Sequence, residues 1–494
     1  MPEPALAAPQ PPHLPCWEVD ELHPAPVFRM RHWTLLIGPG LLMAGANIGG
    51  GEWLFGPLVT AQYGGRVMWL ANVAILMQVF YNLAVMRYAL YCGEPVLIGF
   101  FRTRPGPKFW TLFYLVFDFG AMWPYLSANA AVPLAAVLLG RLPGAGDDAL
   151  VRGLSYAIFL GSFVPLIFGG KIYNALERLM VAKLVLVLAY LSFVVTFMVS
   201  PGTWAEILSG LFRVGSLPEG DFSWATLAAF AAVAGAGGMS NTAFSNYTRD
   251  KGWGMGSKVG ALPSAIGGRA IRLSHTGKIF PLSAETLERW HGWLRHIRRD
   301  QLLLWAPGCI AGMALPAMFS YEFLRDVRNV QGHAVAAMTA DAIAARHGHF
   351  FWILTLLCGF LVMAPTQVSQ LDAFCRRWTD LLWTGLRPLR RLDGNQVKYV
   401  YYFILALYGV WGLMALRLTP NPLVLAIATG VMWNFALGFS SCHTLYVNRS
   451  LLPRELRPGW LMQAGLVACA FFYVGISAIA FRQEWPKVAA WLGW

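Results

Sequence analysis

Long apolar stretches separated by short polar ones dominate the pattern along this chain. A helix needs about 20 predominantly apolar residues to cross a bilayer, and most of the stretches approach or exceed that length with few charged residues. The pattern therefore predicts an all-α integral membrane protein with about eleven transmembrane helices. They are expected near residues 33–60, 66–90, 109–139, 150–169, 179–200, 223–247, 301–324, 349–373, 399–416, 421–446 and 459–481.

The first apolar stretch is interrupted by three consecutive glycines, Gly49 to Gly51, and then by the acidic Glu52. Glycine weakens a helix by about 1 kcal/mol relative to alanine. A carboxylate at bilayer depth is costly unless it faces a cavity or a partner. The combination predicts an unwound helix beside a binding site near the middle of the membrane.

The sixth stretch contains a second interruption, at Gly235, Gly237 and Gly238, and polar residues follow it over 240–246. On its own, this pattern is explained equally well by close helix packing through small residues. Interrupted helices at positions one and six are, however, expected of a transporter built from two inverted five-helix repeats. We therefore predict that helices one and six unwind around a shared site. The predicted parts are repeat one at about 33–200, repeat two at about 223–446 and an extra helix at about 459–481.

Two segments are expected to lie outside the membrane. Residues 1–31 are rich in proline, which predicts a disordered cytoplasmic tail before a single transmembrane domain over 32–494. The loop 248–300 is glycine-rich at first and then contains an amphipathic pattern after Ser283, a suitable N-cap. We interpret that pattern as an interfacial helix packed beneath the bundle, with a regulatory role left open.

The net charge of +13 bears on orientation. Lys and Arg are concentrated in alternate loops, above all in 248–300, which predicts a cytoplasmic N-terminus and a C-terminus on the opposite face of the cell membrane. In a soluble protein the same charge would suggest a nucleic-acid partner. The chain has no compact basic domain, so we expect the lipid bilayer and no nucleic acid as its partner.

The residues at the two interruptions resemble the Nramp family of divalent-metal transporters, which has a LeuT-like fold. The family's GPG motif is matched by Gly38–Gly40, and its DPGN tetrad falls on Gly49–Glu52. Ala236 and Met239 match an alanine and the methionine of the family's MPH motif, while Ser240 and Asn241 replace the proline and histidine. The run 169–183 resembles the connection between the family's helices four and five.

The resemblance implies a substrate site with Glu52 and Met239 as metal ligands. The family's metal-binding aspartate is replaced by Gly49, and a carboxylate returns three residues later as Glu52. Such a site suits a soft-to-borderline divalent ion; an organic cation, with Trp53 or Phe244 nearby, is the alternative. The implied substrate-binding residues are Glu52, Met239, Asn241, Ser240, Ala46, Ala236 and Gly49.

Three further polar residues are candidates for a coupling or translocation pathway: Asp118, Gln367 and Asp372. An acid within a membrane segment suggests function, but Asp118 does not fall on the positions of the family's third-helix carboxylates. Pairing with a basic residue at a helix end is the alternative for Asp118. For Asp372, pairing with Arg376 at i, i+4 is the favoured interpretation. The sequence leaves a coupling proton or sodium ion open.

These features together predict a secondary active transporter that moves a cation by alternating access, and the resemblance implies that the cation is a divalent metal ion. A LeuT-fold transporter of an organic cation or another small solute is the first alternative. A membrane receptor without transport, or a membrane-embedded enzyme, is the second. The sequence lacks the common nucleotide, zinc-protease and hydrolase motifs. We therefore expect no enzyme activity and no cofactor other than a metal ion as substrate.

Overall fold

The computed structural model describes residues 14–27, 38–168, 172–260, 276–324, 337–392, 396–418 and 422–491. Helices account for nearly all regular structure in these ranges. The α-helices are α1 (Pro39–Asn47), α2 (Gly56–Tyr63), α3 (Trp69–Cys92), α4 (Val96–Phe101), α5 (Pro107–Phe117), α6 (Tyr125–Leu139), α7 (Asp148–Gly161), α8 (Val164–Ile167), α9 (Ile172–Met198), α10 (Pro201–Gly210), α11 (Trp224–Val233), α12 (Ala243–Lys251), α13 (Gly256–Val259), α14 (Ala284–Arg299), α15 (Ala306–Leu324), α16 (Met338–His347), α17 (His349–Gly385), α18 (Val397–Leu418), α19 (Pro422–Ser450) and α20 (Trp460–Trp491).

The helices coincide with the apolar stretches of the sequence. Within the described ranges, nine helical stretches are long and apolar enough to cross a membrane. The first predicted span corresponds to α1 and α2 with a break between them, and the tenth corresponds to α19. The all-α membrane architecture is thus confirmed. Residues 33–37 of the first predicted span lie outside the described residues.

The first predicted interruption is present. Helix α1 ends at Asn47, and a π-helical turn over Gly51–Phe55 leads into α2. The glycines here permit close contact as well as unwinding, because a Cβ on Gly51 would lie 2.6 Å from the carbonyl oxygen of Val233. Since Val233 is the last residue of α11, the two broken helices meet at their interruptions.

The second interruption is equally clear. Helix α11 stops at Val233, a 3₁₀ turn spans Gly238–Thr242, and α12 continues from Ala243. Gly235, Gly237 and Gly238 all have positive φ angles, at 87°, 69° and 56°. Residues with a Cβ rarely adopt this conformation, so these glycines end the helix. The prediction that helices one and six unwind is confirmed.

The third predicted span departs from a simple helix. Instead of one helix over 109–139, the structure has α5, a 3₁₀ turn at Phe119–Met122 and α6. Pro124, immediately before α6, has no N–H group to continue the helical ladder. Asp118 therefore lies at the end of α5 rather than within a continuous span.

The N-terminal tail is only partly as expected. Within residues 14–27, Glu18–Val19 pairs in parallel with Lys278–Ile279, and Leu14, Trp17 and Leu22 are buried. This part of the tail is therefore ordered rather than disordered, because its backbone pairs with the loop 248–300 and the Trp17 ring packs against Tyr91 and Arg102. Residues 1–13 and 28–31 lie outside the described ranges, as do residues 261–275 of the loop.

The amphipathic helix predicted in that loop is α14. The hydroxyl of Ser283 accepts a hydrogen bond from the backbone N–H of Thr286 at 3.1 Å, so the expected N-cap is present. Trp290, Trp293 and Ile297 are buried against the rest of the protein. A π-helical turn over Asp300–Trp305 joins α14 directly to α15. This helix therefore packs as an extension of a membrane span.

Candidate functional site

A small cavity lies where the two broken helices meet. Its free volume is about 20 Å³, and a water molecule needs about 10–15 Å³ of such volume. The space therefore suits a single small ion or water. The lining residues come from both interruptions and from α6, α17 and α19: Met43, Ala46, Asn47, Gly50, Gly51, Tyr125, Val233, Gly235, Ala236, Ser240, Thr366, Ser369, Gln370, Ala373 and Trp433.

The donors around the cavity are neutral. Asn47, Ser240, Ser369, Gln370 and the unwound backbone provide oxygen atoms, and Met43 provides a thioether. No carboxylate is among the lining side chains, and the described residues contain no group of three or more His, Cys, Asp or Glu suited to a metal ion. Any charge that stabilises a bound cation must therefore act from behind the first layer of side chains.

Glu52 lies behind this layer. Its side chain is fully buried, and Oε2 accepts a hydrogen bond from the backbone N–H of Gly49 at 2.8 Å. Oε1 has no hydrogen-bond partner among the described residues. The carboxylate thus satisfies one of the amides freed by the break, as a capping side chain does at a helix N-terminus.

Lys183 places a second charge beside the first interruption. It lies in α9, is 2% exposed, and donates to the carbonyl oxygen of Gly45 at 2.8 Å. Its ammonium group also donates to the carbonyl oxygen of Ile48 and to the hydroxyl of Thr366. The lysine therefore connects the end of α1 to α17. The sequence signal was a lysine inside an apolar segment, which usually has a functional reason.

The second interruption is held by Gln78 of α3. Its Oε1 accepts hydrogen bonds from the backbone N–H groups of Ala236 and Gly237, at 2.9 and 3.3 Å. Its Nε2 donates to the carbonyl oxygen of Ala234 at 2.7 Å. One amide side chain thus serves three backbone groups that the unwound helix leaves without helical partners.

Asn241 extends this polar network away from the cavity. Its Nδ2 donates to Asn82 at 2.7 Å and to Gln78 at 3.1 Å. Asn82 in turn donates to Gln301 at 2.9 Å, and Gln301 donates to Asp300 at 2.9 Å. Asp300 accepts from the backbone N–H of Gly40, the last glycine of the GPG motif, at 3.0 Å. The network joins the second interruption to the start of α1.

The structure brings together only part of the predicted site. Ala46, Ala236 and Ser240 line the cavity. Glu52, Met239, Asn241 and Gly49 are not among its lining residues, although each is adjacent to one. Glu52 and Met239, the two implied metal ligands, therefore do not face the cavity. The reason is local: the π-helical turn directs the Glu52 carboxylate toward Gly49, and Met239 is buried in the 3₁₀ turn.

Asp118 and Asp372, two of the proposed pathway residues, are held in buried ion pairs. Asp118 accepts two hydrogen bonds from Arg377, each of 3.0 Å, and one from Trp378. Asp372 accepts from Arg376 at 2.6 Å, the i, i+4 pair that the sequence favoured, and from Tyr401 at 2.7 Å. These contacts support a structural role for both acids.

The third pathway candidate, Gln367, is buried next to the cavity-lining Thr366 in sequence. Its Nε2 has no hydrogen-bond partner among the described residues. The neighbouring Ser369 and Gln370, rather than Gln367, line the cavity. Tyr125 and Thr366 were not anticipated, because nothing in a single sequence distinguishes a hydroxyl that faces a cavity from one that bonds its own helix.

Solved structures of other proteins share this architecture. Crystal structures of two mutants of the Eremococcus coleocola manganese transporter match with TM-scores of 0.59, covering 97% of this chain and 90% of theirs. The same transporter in complex with an aromatic bis-isothiourea compound matches with a TM-score of 0.60, covering 95% and 89%. The chain has the fold of that transporter.

Sequence identity to these structures is only 14%, so the comparison establishes the fold alone. The expected Nramp-like, LeuT-type architecture is confirmed at this level. No family model and no curated relative matches the chain. Substrate and coupling must therefore be argued from the site itself.

Proposed function

We propose that this protein is a secondary active transporter that moves a cation across the membrane by alternating access. The observation that carries the proposal is the cavity formed jointly by the two interrupted helices. Unwound backbone is tolerated at membrane depth where it lines a cavity or is buried in protein. In transporters with inverted repeats, this is where the substrate binds. The N-terminus would face the cytoplasm, as the distribution of Lys and Arg predicts.

A divalent metal ion is the first candidate substrate. The structural neighbours are manganese transporters, and the cavity is the size of a single ion. Amide, hydroxyl and carbonyl oxygens suit hard divalent ions, and the Met43 sulfur adds a softer donor. In this proposal Glu52 contributes negative charge from behind the loop, while Ser240 and the backbone near Ala46 and Ala236 provide direct contacts.

A small organic cation is the second candidate. Tyr125 and Trp433 both line the cavity, and no carboxylate lines it. Aromatic faces bind cations that cannot be coordinated like a metal. Because the free volume is only about 20 Å³, such a substrate would require a wider conformation of the same site.

The test uses purified protein in liposomes, with uptake of Mn²⁺, Mg²⁺ and tetramethylammonium each measured separately. Saturable metal uptake with counterflow supports the metal proposal, and saturable uptake of the organic cation supports the alternative. Binding without counterflow would indicate a receptor and overturn transport. Ser240→Val should raise KM. Ser441→Val is the matched control, because Ser441 is a buried serine that donates to Leu466 outside the cavity.

A further inference from the structure

A second cavity, which shares no residue with the one between the broken helices, lies against α14. Its free volume is about 390 Å³, within the range of about 300–1,000 Å³ that is usual for small-molecule sites. One wall is the N-terminal segment 24–27, and the other is a single face of α14. We call this space the α14 groove. Its lining residues on the helix are Glu288, Arg289, Gly292, Arg295, His296 and Arg299.

The N-terminal wall of the α14 groove is held in place by the helix. The indole N–H of Trp293 donates to the carbonyl oxygen of His23 at 2.7 Å, immediately before the wall begins. Two of the four wall residues, Pro24 and Pro26, have no backbone N–H to offer. The hydrogen-bond donors that face the groove therefore come mainly from α14.

The charged side chains of the groove are mostly basic. Arg289 is already paired, at 2.6 Å, with Glu21. Arg295 is exposed and makes no ion pair or hydrogen bond within the described part of the chain. Arg299 follows one helical turn later, while the acidic Glu288 lies about 10 Å from Arg295 along the helix axis. One end of the groove is therefore electropositive.

His296 is the buried polar group of the α14 groove. It is 2% exposed, and neither ring nitrogen has a hydrogen-bond partner among the described residues. Trp253 packs edge-on against the ring, with centroids 4.5 Å apart, and holds it in place. An imidazole has at least one N–H donor in either protonation state, and a buried donor without an acceptor is unfavourable. A ligand oxygen in the groove would provide that acceptor after a rotation of the ring.

The basic end of the groove lies next to the membrane. Arg295, Arg299 and Leu303 are spaced four residues apart, which places them on one side of the continuous helix. Leu302 and Leu303 are 51% and 59% exposed and belong to the turn that leads into the membrane span α15. Leu303 is about 6 Å from Arg299 along the axis. The guanidinium groups therefore lie at the depth of lipid headgroups, with apolar side chains on the acyl-chain side.

We propose that the α14 groove binds the phosphate of an anionic phospholipid from the adjacent leaflet. Arg295 and Arg299 contact the phosphate, and His296 donates to one of its oxygens. Guanidinium groups form paired, charge-assisted hydrogen bonds with phosphate, and basic pockets beside membrane spans accept acidic headgroups. The position favours a lipid over a soluble phosphate ester, because the acyl chains of the lipid can lie along Leu302 and Leu303 while its phosphate enters the groove.

A lipid in this position would act on the transport helices through one residue. Asp300 follows Arg299 directly and accepts a hydrogen bond from the backbone N–H of Gly40, at the start of α1, at 3.0 Å. The other wall of the groove belongs to the N-terminal segment. An occupied groove therefore holds this segment, α14 and the start of the first broken helix together, which makes the composition of the bilayer a determinant of stability.

The test is native mass spectrometry of the full-length protein in detergent, titrated with phosphatidylglycerol and with phosphatidylcholine. The wild type should bind phosphatidylglycerol more tightly. Arg295→Gln should weaken that binding at least about tenfold, as expected for loss of a charge-assisted hydrogen bond. Arg298→Gln is the matched control, because Arg298 is an exposed arginine of the same helix that does not line the groove. Equal losses in both variants would indicate diffuse surface attraction and overturn the proposal.

Two further variants test the location without removing a basic residue. Glu288→Gln should strengthen binding of phosphatidylglycerol, because it removes a negative charge from the groove. Gly292→Leu should block binding: a Cβ on Gly292 would lie 3.5 Å from that of Ala25, so a longer side chain extends into the space between the walls. Gly292→Ala, which adds only the Cβ, should bind nearly as the wild type does. Undiminished binding in a folded Gly292→Leu protein would contradict this location, and Arg295→Gln decides the matter if that variant does not fold.

The source of the phosphate is decided by calorimetric titration with inorganic phosphate and with glycerol 3-phosphate. Both lack acyl chains, so each should bind at least about tenfold more weakly than phosphatidylglycerol. Glycerol 3-phosphate binding as tightly as the lipid would assign the groove to a soluble ester and overturn the lipid proposal. None of these measurements requires transport, so their outcome is independent of whether the protein moves a cation.

Discussion

The carboxylate of Glu52 accepts a hydrogen bond from the backbone N–H of Gly49, three residues earlier, at 2.8 Å. This contact indicates a structural role for the acid in the first interruption. A carboxylate among glycines in a membrane helix suggests a ligand, but here it holds the unwound segment in shape. The π-helical turn of Gly51–Phe55 gives the side chain this direction.

Glu52 should therefore tolerate an isosteric amide better than a truncation. In Glu52→Gln the amide oxygen can still accept from Gly49, so we expect KM for Mn²⁺ to change by less than about tenfold, or 1.4 kcal/mol. Glu52→Ala leaves the Gly49 amide unsatisfied and should lower stability by about 1–3 kcal/mol. Uptake kinetics and thermal unfolding in detergent measure both effects.

Glu219→Gln is the control for these variants, because Glu219 is 86% exposed and pairs with Arg66 at the surface. It should change neither stability nor KM. Complete loss of uptake in a folded Glu52→Gln protein would instead show that the charge itself contacts the substrate.

The buried pair of Asp118 and Arg377 should contribute strongly to stability. Removing one partner of such a pair leaves an uncompensated buried charge and typically costs about 3–5 kcal/mol. Asp118→Asn should therefore lower the melting temperature markedly, and Asp118→Asn with Arg377→Gln should recover part of the loss. Asp147→Asn is the matched control, because its partner Arg141 is 59% exposed and surface pairs contribute at most about 1 kcal/mol. A negligible effect of Asp118→Asn would refute this structural role.

Gln78 should determine substrate affinity although it does not line the cavity. Gln78→Leu removes the partners of three backbone groups at the second interruption, so the segment around Ala236 would lose its fixed geometry. We expect KM to rise at least about tenfold with a modest loss of stability. Asn72→Leu is the control on the same helix, because it removes one buried hydrogen bond, to Leu211. Equal effects on KM from both variants would argue against a specific role.

Attachment of the N-terminal segment should depend on pH through Glu94. Burial raises the pKa of this carboxyl, but Arg102 at 2.6 Å and further hydrogen bonds outweigh it, so the pKa lies below its ordinary value of 4.5. Arg102 also donates to Pro15 at 3.0 Å and lies over Trp17. Because the folded pKa is lowered, the stabilisation is complete above pH 4.5 and is lost as pH falls through the folded value.

Hydrogen exchange of residues 14–27 should therefore accelerate on acidification, beyond the intrinsic pH dependence of amide exchange. Glu94→Gln should give rapid exchange already at neutral pH and reduce the additional acid sensitivity, while Asp20 and Glu21 keep their own ion pairs with Lys278 and Arg289. Glu18→Gln should leave both the exchange rate and its acid sensitivity unchanged, because Glu18 is largely exposed and lies 3.6 Å from Lys278. An acid response in Glu94→Gln equal to that of the wild type would exclude Glu94 as the cause.

The two interruptions could be predicted because glycine acts through the backbone, and a run such as Gly49–Gly51 has this effect in any surroundings. The orientations of the Glu52 and Asn241 side chains could not be predicted from the sequence. Each depends on which side of a short irregular turn packs against the neighbouring helices. Lys183 was visible as a charge in an apolar helix, but its partners lie more than a hundred residues away in sequence. Local patterns thus located the two interruptions, and long-range contacts decided which side chains face the cavity between them.

The absence of an acid at position 49 has a structural explanation that can be tested. A Cβ on Gly49 would lie 2.7 Å from the methyl group of Thr366, so any side chain there collides with α17. An aspartate, as in the family that the chain resembles, would also lie next to the Thr366 hydroxyl and its partner Lys183. We expect Gly49→Asp with Thr366→Ala to fold but to transport Mn²⁺ at least about tenfold more slowly, because an ion pair between the new carboxylate and Lys183 would tie the broken helix more tightly to α9.

Adding Lys183→Met to this pair frees the new carboxylate for the cation, so Mn²⁺ affinity in an equilibrium binding measurement should exceed that of the wild type. Gly49→Ala with Thr366→Ala separates size from charge and should transport nearly as the wild type does. If Gly49→Ala with Thr366→Ala transports as slowly as Gly49→Asp with Thr366→Ala, steric crowding alone accounts for the glycine at position 49. If the triple variant binds Mn²⁺ no better than the wild type, the lysine and the missing acid are unrelated. The predicted result would show that the glycine at position 49 and the buried Lys183 belong together, because an acid at that position would pair with the lysine instead of the cation.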